Sequence, residues 1–202
     1  MANDAQTWID LFAGGRLCLF GEHSDWAAPF GRHPGYCLVI GTDQGLRGRA
    51  RAAEAFTVET LVPGPDGRPS GRTRRMRCAW QPEALRAAAQ DAEEFFRYCA
   101  GVAHEMCAAG RAPGGLDLRI TAMDLPLRKG VSSSAAVCIL VARAFDAVYG
   151  LRRFPHELME IAYRGERLTG SRCGRMDQAC IYGKTPVLLT FDGERDVRVE
   201  PE

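Results

Sequence analysis

The feature that most restricts what this chain can fold into is a change of period around three consecutive serines. Before them Leu116, Leu118 and Ile120 alternate with Asp117 and Arg119, the pattern of a half-buried strand. After them Val137, Leu140, Val141, Ala144, Phe145 and Val148 share one face of a helix that Gly150 ends. The segment Leu125-Pro-Leu-Arg-Lys-Gly130-Val-Ser132-Ser133-Ser134-Ala135-Ala136 therefore reads as the end of a strand, a short loop and a helix that begins in the serines. Other segments supply both classes of element. An apolar run at 16–20, stopped by Gly21, and the alternation of Val58, Thr60 and Val62 predict strands, the second followed by an exposed loop from Pro63 to Gly71. From Pro82 to Ala109 the positions Leu85, Ala88, Ala92, Phe95, Cys99, Val102 and Met106 predict an amphipathic helix with a break at Gly101. A further helix is expected from Pro155 to Thr169 and a strand from Pro186 to Phe191. This mixed order predicts an α+β fold in one domain.

Composition narrows the function. With 46% hydrophobic and 25% charged residues the chain is a folded domain, and 26 basic against 25 acidic residues exclude an electrostatic nucleic-acid binder. The longest apolar run, Ala135 to Ala142, is far shorter than the roughly 18 residues a membrane-spanning helix needs. The start of the chain carries Asp4 and Asp10 and lacks a basic, apolar leader, so a cytoplasmic protein is expected. Its eight cysteines are scattered without a CxxC pair and read as buried or idle thiols. Arg72, Arg74, Arg75 and Arg77 read as one solvated strand rather than a phosphate site.

Three segments carry chemistry. A helix start collects unpaired N–H groups and the positive end of the helix dipole, which attract phosphate, and serine hydroxyls there can ligate Mg²⁺. Taken alone, Ser132 to Ser134 read equally as a helix cap. Gly15-Arg16-Leu-Cys-Leu-Phe-Gly21-Glu22-His23-Ser24-Asp25 sets polar side chains just after a strand, where they can face the hydroxyls of a small ligand. Glu166 and Asp177, the latter in Gly174-Arg-Met-Asp177-Gln178, set two carboxylates eleven positions apart, able to divide a metal and a substrate hydroxyl between them. Other nucleotide and hydrolase motifs fail. The first glycine that Gly183-Lys184-Thr185 would need for a Walker A loop is Gln178, no strand leads into GxGxxG, and both HExxH and GxSxG are absent.

In this order the three segments resemble the galactokinase, homoserine kinase, mevalonate kinase and phosphomevalonate kinase superfamily, the GHMP kinases. Gly14 to Trp26 is similar to the galactokinase opening PGRVNLIGEHTDY, the serine segment to the phosphate loop PxGxGLSSSA, and Glu166 with Gly174 to Gln178 to the pairing of Glu with GxMDQ. The resemblance implies ATP and Mg²⁺ as cofactors. Ser134 and Glu166 would hold the metal, and Gly130, Ser132 and Ser133 would line the triphosphate. Asp177 would face the acceptor hydroxyl, with Arg16 holding its charge and screening the transferring phosphoryl group. Glu22, His23 and Asp25 would bind sugar hydroxyls. Arg128 and Lys129 depart from the small residues usual in the phosphate loop, Cys18 stands in place of Asn, and Trp26 in place of Tyr.

The resemblance covers nearly all of this chain but only about the first half of a usual member. It implies the family's amino-terminal domain, a ribosomal-protein-like mixed sheet with helices over 1–202, in a partial or truncated kinase. The carboxy-terminal domain would be absent, with self-association through the face it leaves. The implied reaction is transfer of the γ-phosphate of MgATP to a monosaccharide hydroxyl, with no nucleic-acid or membrane partner. A mevalonate-type acceptor, or a non-catalytic half that senses sugar or nucleotide, are the alternatives.

Overall fold

The computed structural model describes residues 7–26, 34–63, 69–125, 132–192 and 196–201. Seven strands form one sheet: β1 (Ile9–Phe20), β2 (Gly35–Ala53), β3 (Phe56–Pro63), β4 (Pro69–Cys78), β5 (Gly115–Met123), β6 (Val187–Asp192) and β7 (Asp196–Pro201). Their order is β4-β3-β5-β2-β6-β7, with β1 paired to β2. β3 and β5 run parallel and the other pairs antiparallel, so the sheet is mixed.

The long central strand β2 joins the two halves. β6 pairs with its first part, Gly35 to Val39, and β5 with its last, Leu46 to Ala53, while β1 follows it from Leu38 to Ala50. No apolar alternation announces β2 in the sequence. Its buried positions include Gly48 and Ala50, and its outward positions are Arg47, Arg49 and Arg51. The small inward residues let the helical layer come close, since a Cβ on Gly48 would stand 3.4 Å from a Leu140 methyl. Outside, Arg49, Arg51 and Arg119 lie 4.7–5.0 Å from the Trp8 ring, where cation–π contact replaces the usual apolar facing residues.

Four helices, α1 (Pro82–Gln90), α2 (Arg97–Ala108), α3 (Ser133–Tyr149) and α4 (Pro155–Leu168), complete the fold. α3 lies against β1 and β2, and α2 and α4 pack on α3. Its buried residues run Ala135, Ala136, then unbroken from Cys138 to Ala142, then Ala144 and Phe145. The helix is thus apolar nearly all round, beyond the single face its periodicity suggests, because the sheet covers one side and two helices the other. Phe145 anchors the centre, with its ring 5.3 Å from Trp80 and 6.0 Å from Phe56.

Two expectations need correction. The 16–20 run is only the end of β1, which starts at Ile9. The helix expected from Pro82 to Ala109 is two helices, and the interruption lies at 91–96 rather than at Gly101. Gly101 sits inside α2 for a packing reason: a Cβ there would meet the Gly165 carbonyl oxygen of α4 at 2.1 Å. The missing side chains let two helix backbones touch. All eight cysteines are free thiols, four of them buried, as their scatter predicts. Among the described residues no helix is long and apolar enough to cross a membrane.

Candidate active site

Arg16 is held by an irregularity in β1. The register with β2 shifts between Gly14 and Arg16, alternation fails, and Ala13 to Arg16 are all buried. The shift turns a guanidinium toward the helical layer, leaving it 7% exposed. There Arg16 Nε and Nη2 donate to Asp177 Oδ1 at 2.8 and 2.6 Å. Glu22 Oε1 lies 3.8 Å from Nη1, at the exposed rim. Arg16 thus orients one oxygen of this half-buried carboxylate, and among the described residues no hydrogen bond reaches the other, Oδ2.

After β1 the chain turns sharply. Gly21 has φ +81° and a Cβ there would stand 1.8 Å from the Tyr36 carbonyl oxygen, so only glycine fits. His23 also has a positive φ, 71°, which is uncommon for a residue with a Cβ. A 3-10 turn, Ser24–Trp26, follows. His23 is exposed and its Nδ1 accepts from Trp26 Nε1 at 3.4 Å. Asp25 points inward instead, and its Oδ2 accepts the Met176 N–H at 3.0 Å. Burial pushes the Asp25 carboxyl above its usual range against that hydrogen bond, and the nearby Asp177 charge adds to the rise.

α3 begins in the serines as expected. Ser132 is its N-cap residue in the left-handed region, φ 50°, and makes no side-chain cap bond. The capping alternative is therefore not what this hydroxyl does. Ser134, in the first turn, lies near enough to Glu166, in the last turn of α4, for its hydroxyl to favour the charged carboxylate. Gly130, Arg128 and Lys129 lie outside the described residues.

Glu166 is 2% exposed. Burial raises its carboxyl above the usual range; Ser134 hydrogen bonding opposes the rise, the Asp177 charge adds to it, and Gln178 and Ser171 oppose it again. Gln178 Nε2 donates to Glu166 Oε2 at 2.8 Å, while the buried Gln178 Oε1 has no hydrogen-bond partner. A buried carboxylate, a nearby hydroxyl and an orphaned amide oxygen make an acceptor-rich cluster, the hard-oxygen chemistry that suits Mg²⁺. Among the described residues no group of three or more His, Cys, Asp or Glu could cage a metal. An ion held here would draw its remaining ligands from phosphate and water.

The structure thus brings Arg16, Asp25, Ser134, Glu166 and Asp177 together through direct bonds or mutual electrostatic influence. Glu22 stands at their rim and His23 outside it. Sequence reasoning missed three contributors. Gln178 was seen only as part of a motif, and Gly174 only as its first letter. Arg143 was hidden inside α3, where it donates to the Phe12 carbonyl of β1 at 2.8 Å and to the Ile181 carbonyl of the 3-10 helix Asp177–Tyr182. A single charge on an otherwise apolar helix was the available signal.

Comparison with known proteins agrees with this geometry. Residues 95–184, which contain Ser134, Glu166 and Asp177, match the family described as GHMP kinases N terminal domain. The chain is 28% identical over 185 residues to a galactokinase of Roseiflexus sp. (strain RS-1), covering 89% of this chain and 42% of that protein. It is 26% identical over 167 residues to a galactokinase of Chloroflexus aurantiacus, covering 82% and 38%. The chain therefore spans about two-fifths of the length of these relatives. In fold it is similar to Lactococcus lactis galactokinase complexed with galactose, with a TM-score of 0.72 at 24% identity over 98% of this chain and 48% of that one. It is also similar to Methanococcus jannaschii mevalonate kinase, with a TM-score of 0.67 at 14% identity over 96% and 56%. From the serine helix start to the paired carboxylates, residues 95–184 carry the match to the GHMP kinase amino-terminal domain, and the fold is similar to that of solved members.

Proposed function

We propose that residues 1–202 form the amino-terminal ATP-binding domain of a longer, galactokinase-like sugar kinase, which transfers the γ-phosphate of MgATP to a monosaccharide hydroxyl. One observation carries the reading: Arg16 engages a single oxygen of Asp177, and among the described residues no hydrogen bond takes the other, while Ser134 and Glu166 lie near each other in the same cluster. Asp177 Oδ2 accepts the hydrogen bond of the acceptor hydroxyl and takes its proton as that oxygen bonds to phosphorus and the ADP oxygen leaves. Arg16 holds Asp177 in place and presents positive charge to the transferring group. Ser132 and Ser133 line the triphosphate at the start of α3, where N–H groups accumulate, and Gly130 of the same sequence segment is assigned to it with them. Ser134 and Glu166 hold Mg²⁺, which supplies charge neutralisation at the phosphate oxygens. Positioning and electrostatics are most of what phosphoryl transfer asks of a protein.

Glu22 at the rim, His23 outside the cluster and the Asp25 oxygen not bonded to Met176 are assigned to the hydroxyls of the acceptor. Three polar side chains in one turn suit a polyol better than a branched hydroxy acid, which favours a sugar over a mevalonate-type substrate. The kinship of the galactokinases points the same way. An ATP-dependent reaction and eight free thiols fit the cytosol.

Calorimetric titration of the chain with a non-hydrolysable ATP analogue and Mg²⁺, with Ser134→Ala as control, tests the reading. Binding is expected, and Ser134→Ala should weaken the magnesium complex more than the metal-free nucleotide. Equal weakening of the two removes Ser134 as a metal ligand. No binding by a folded chain means that the nucleotide site needs residues beyond Glu202, and binding of sugar alone would favour a sensing role.

A further inference from the structure

The loop that leads into Asp177 is tied down on two sides. Outward, Arg175 Nε donates to Glu160 Oε2 at 3.1 Å, and its guanidinium lies 4.2 Å from the Tyr163 ring, both partners on α4. Inward, the Asp25 carboxylate accepts the N–H of Met176, the residue immediately before Asp177, across 151 residues of sequence. That carboxylate lies where a side chain of residue 174 would be: a Cβ on Gly174 would stand 1.7 Å from Asp25 Oδ2 and 2.3 Å from its Cγ. Asp25 reaches Met176 only because position 174 is glycine. This gives the glycine of the Gly-x-Met-Asp-Gln segment a task in this chain, which is to admit the acid of the first segment.

We propose that Asp25 and Gly174 form a latch that sets the position of Asp177, so that Asp25 is a positioning residue whose Oδ2 is committed to the backbone of the catalytic loop. The importance of the latch rests on the reading of Asp177 as the carboxylate that faces the acceptor, but its existence does not. With Asp25 Oδ2 committed in this way, Glu22 and His23 carry more of acceptor recognition than the segment Glu-His-Ser-Asp suggests.

Native thiols report on the latch without ATP or sugar. Cys173 precedes Gly174 and is half-buried, Cys180 is buried in the 3-10 helix that Asp177 opens, and Cys99 is buried in α2, away from the loop. The experiment is alkylation of the full 202-residue chain with N-ethylmaleimide, followed cysteine by cysteine by peptide mass spectrometry. Losing a hydrogen bond to a charged acceptor should raise the labelling rates of Cys173 and Cys180 about tenfold relative to Cys99, in both Asp25→Ala and Gly174→Ala. Asp25→Asn keeps an oxygen that accepts the Met176 N–H, so its rates should stay within about twofold of the parent chain. Unchanged rates in both disrupting variants overturn the latch. So does an equal rise at Cys99, which signals general loosening, or an Asp25→Asn variant as fast as Asp25→Ala. Because no nucleotide or sugar enters this assay, failure of the kinase reading and failure of the latch give separate results.

Discussion

Asp177 and Glu166 are two carboxylates with opposite surroundings. Asp177 has a guanidinium on one oxygen, whereas no cationic side chain pairs with Glu166 among the described residues, and its donors are neutral. Asp177→Asn keeps the shape and removes the proton acceptor. In an active kinase containing this domain it should lower kcat roughly 100- to 10,000-fold with nucleotide affinity nearly unchanged. Steady-state kinetics alongside calorimetry read the two, and equal loss of both sinks the assignment. For Glu166 the raised carboxyl means that the fold favours its neutral form. Its contribution to stability is therefore fully present below the ordinary glutamate range, near pH 4, and is lost as pH rises through the higher folded value. Glu166→Gln removes the charge, still accepts from Gln178 Nε2, and offers an N–H to the orphaned Gln178 Oε1. At pH 7 without metal the variant should be more stable by about 1 kcal/mol, an advantage that shrinks toward pH 4 and is measured by urea titration at both pH values. It should also lose the magnesium-dependent part of nucleotide binding. The chemistry-bearing residue types were readable in the sequence, because strand ends and helix starts concentrate them. Their partners were not: nothing in the local pattern at Arg16 indicates that a register shift buries it against residue 177.

At the scale of elements, close backbone approach explains what periodicity could not. The α2–α4 crossing depends on Gly101 and Gly165, and a Cβ on Gly165 would stand 2.6 Å from the Val102 nitrogen and 2.8 Å from the Gly101 carbonyl carbon. Both neighbours are backbone, so neither can rotate away. Gly165→Ala should destabilise the domain by about 1–3 kcal/mol through overpacking, despite the better helix propensity of alanine. At Gly110, with φ +60° and open space around it, alanine should cost about 1–2 kcal/mol through backbone strain alone. Magnesium-dependent nucleotide binding separates the two: Gly165 adjoins Glu166, so only its variant should weaken it. The helix from the serines, the half-buried strand at 115–123 and the helix from Pro155 were legible because their periods are strong. β2 was not, since its inner face is kept small for α3 and its outer face is arginine stacked on Trp8 and Phe12. The interruption at 91–96 was hidden because the apolar spacing continues through it, and Gly101 offered a false signal.

Across the whole molecule, apolar surface is unevenly placed. Leu17, Leu19, Phe20, Trp26 and Tyr36 are 48–74% exposed large hydrophobics, and they belong to the end of β1, the turn after Gly21 and the start of β2. Surface of this kind on a domain that spans two-fifths of its relatives predicts concentration-dependent self-association of the 202-residue chain. Sedimentation velocity at rising concentration should show it, and Leu19→Ser with Phe20→Ser should abolish it; a monomer at all concentrations refutes the expectation. The α+β class was legible from the mixed order of elements and the likeness to the GHMP kinases from three motifs in order, whereas the sheet order was not, since it depends on β2.

The pairing of Arg16 with Asp177 also bears on how the protein is made. The two residues are separated by 161 positions, so at ordinary synthesis rates of about 5–20 residues per second Arg16 leaves the ribosome roughly 8–30 s before its carboxylate exists. During that interval β1 can pair with β2 and Glu22 is already at hand, but the guanidinium that the register shift turns inward lacks its shorter ion pair, the one with Asp177. The tightest charge pair of the amino-terminal strand therefore forms only after synthesis has passed Asp177.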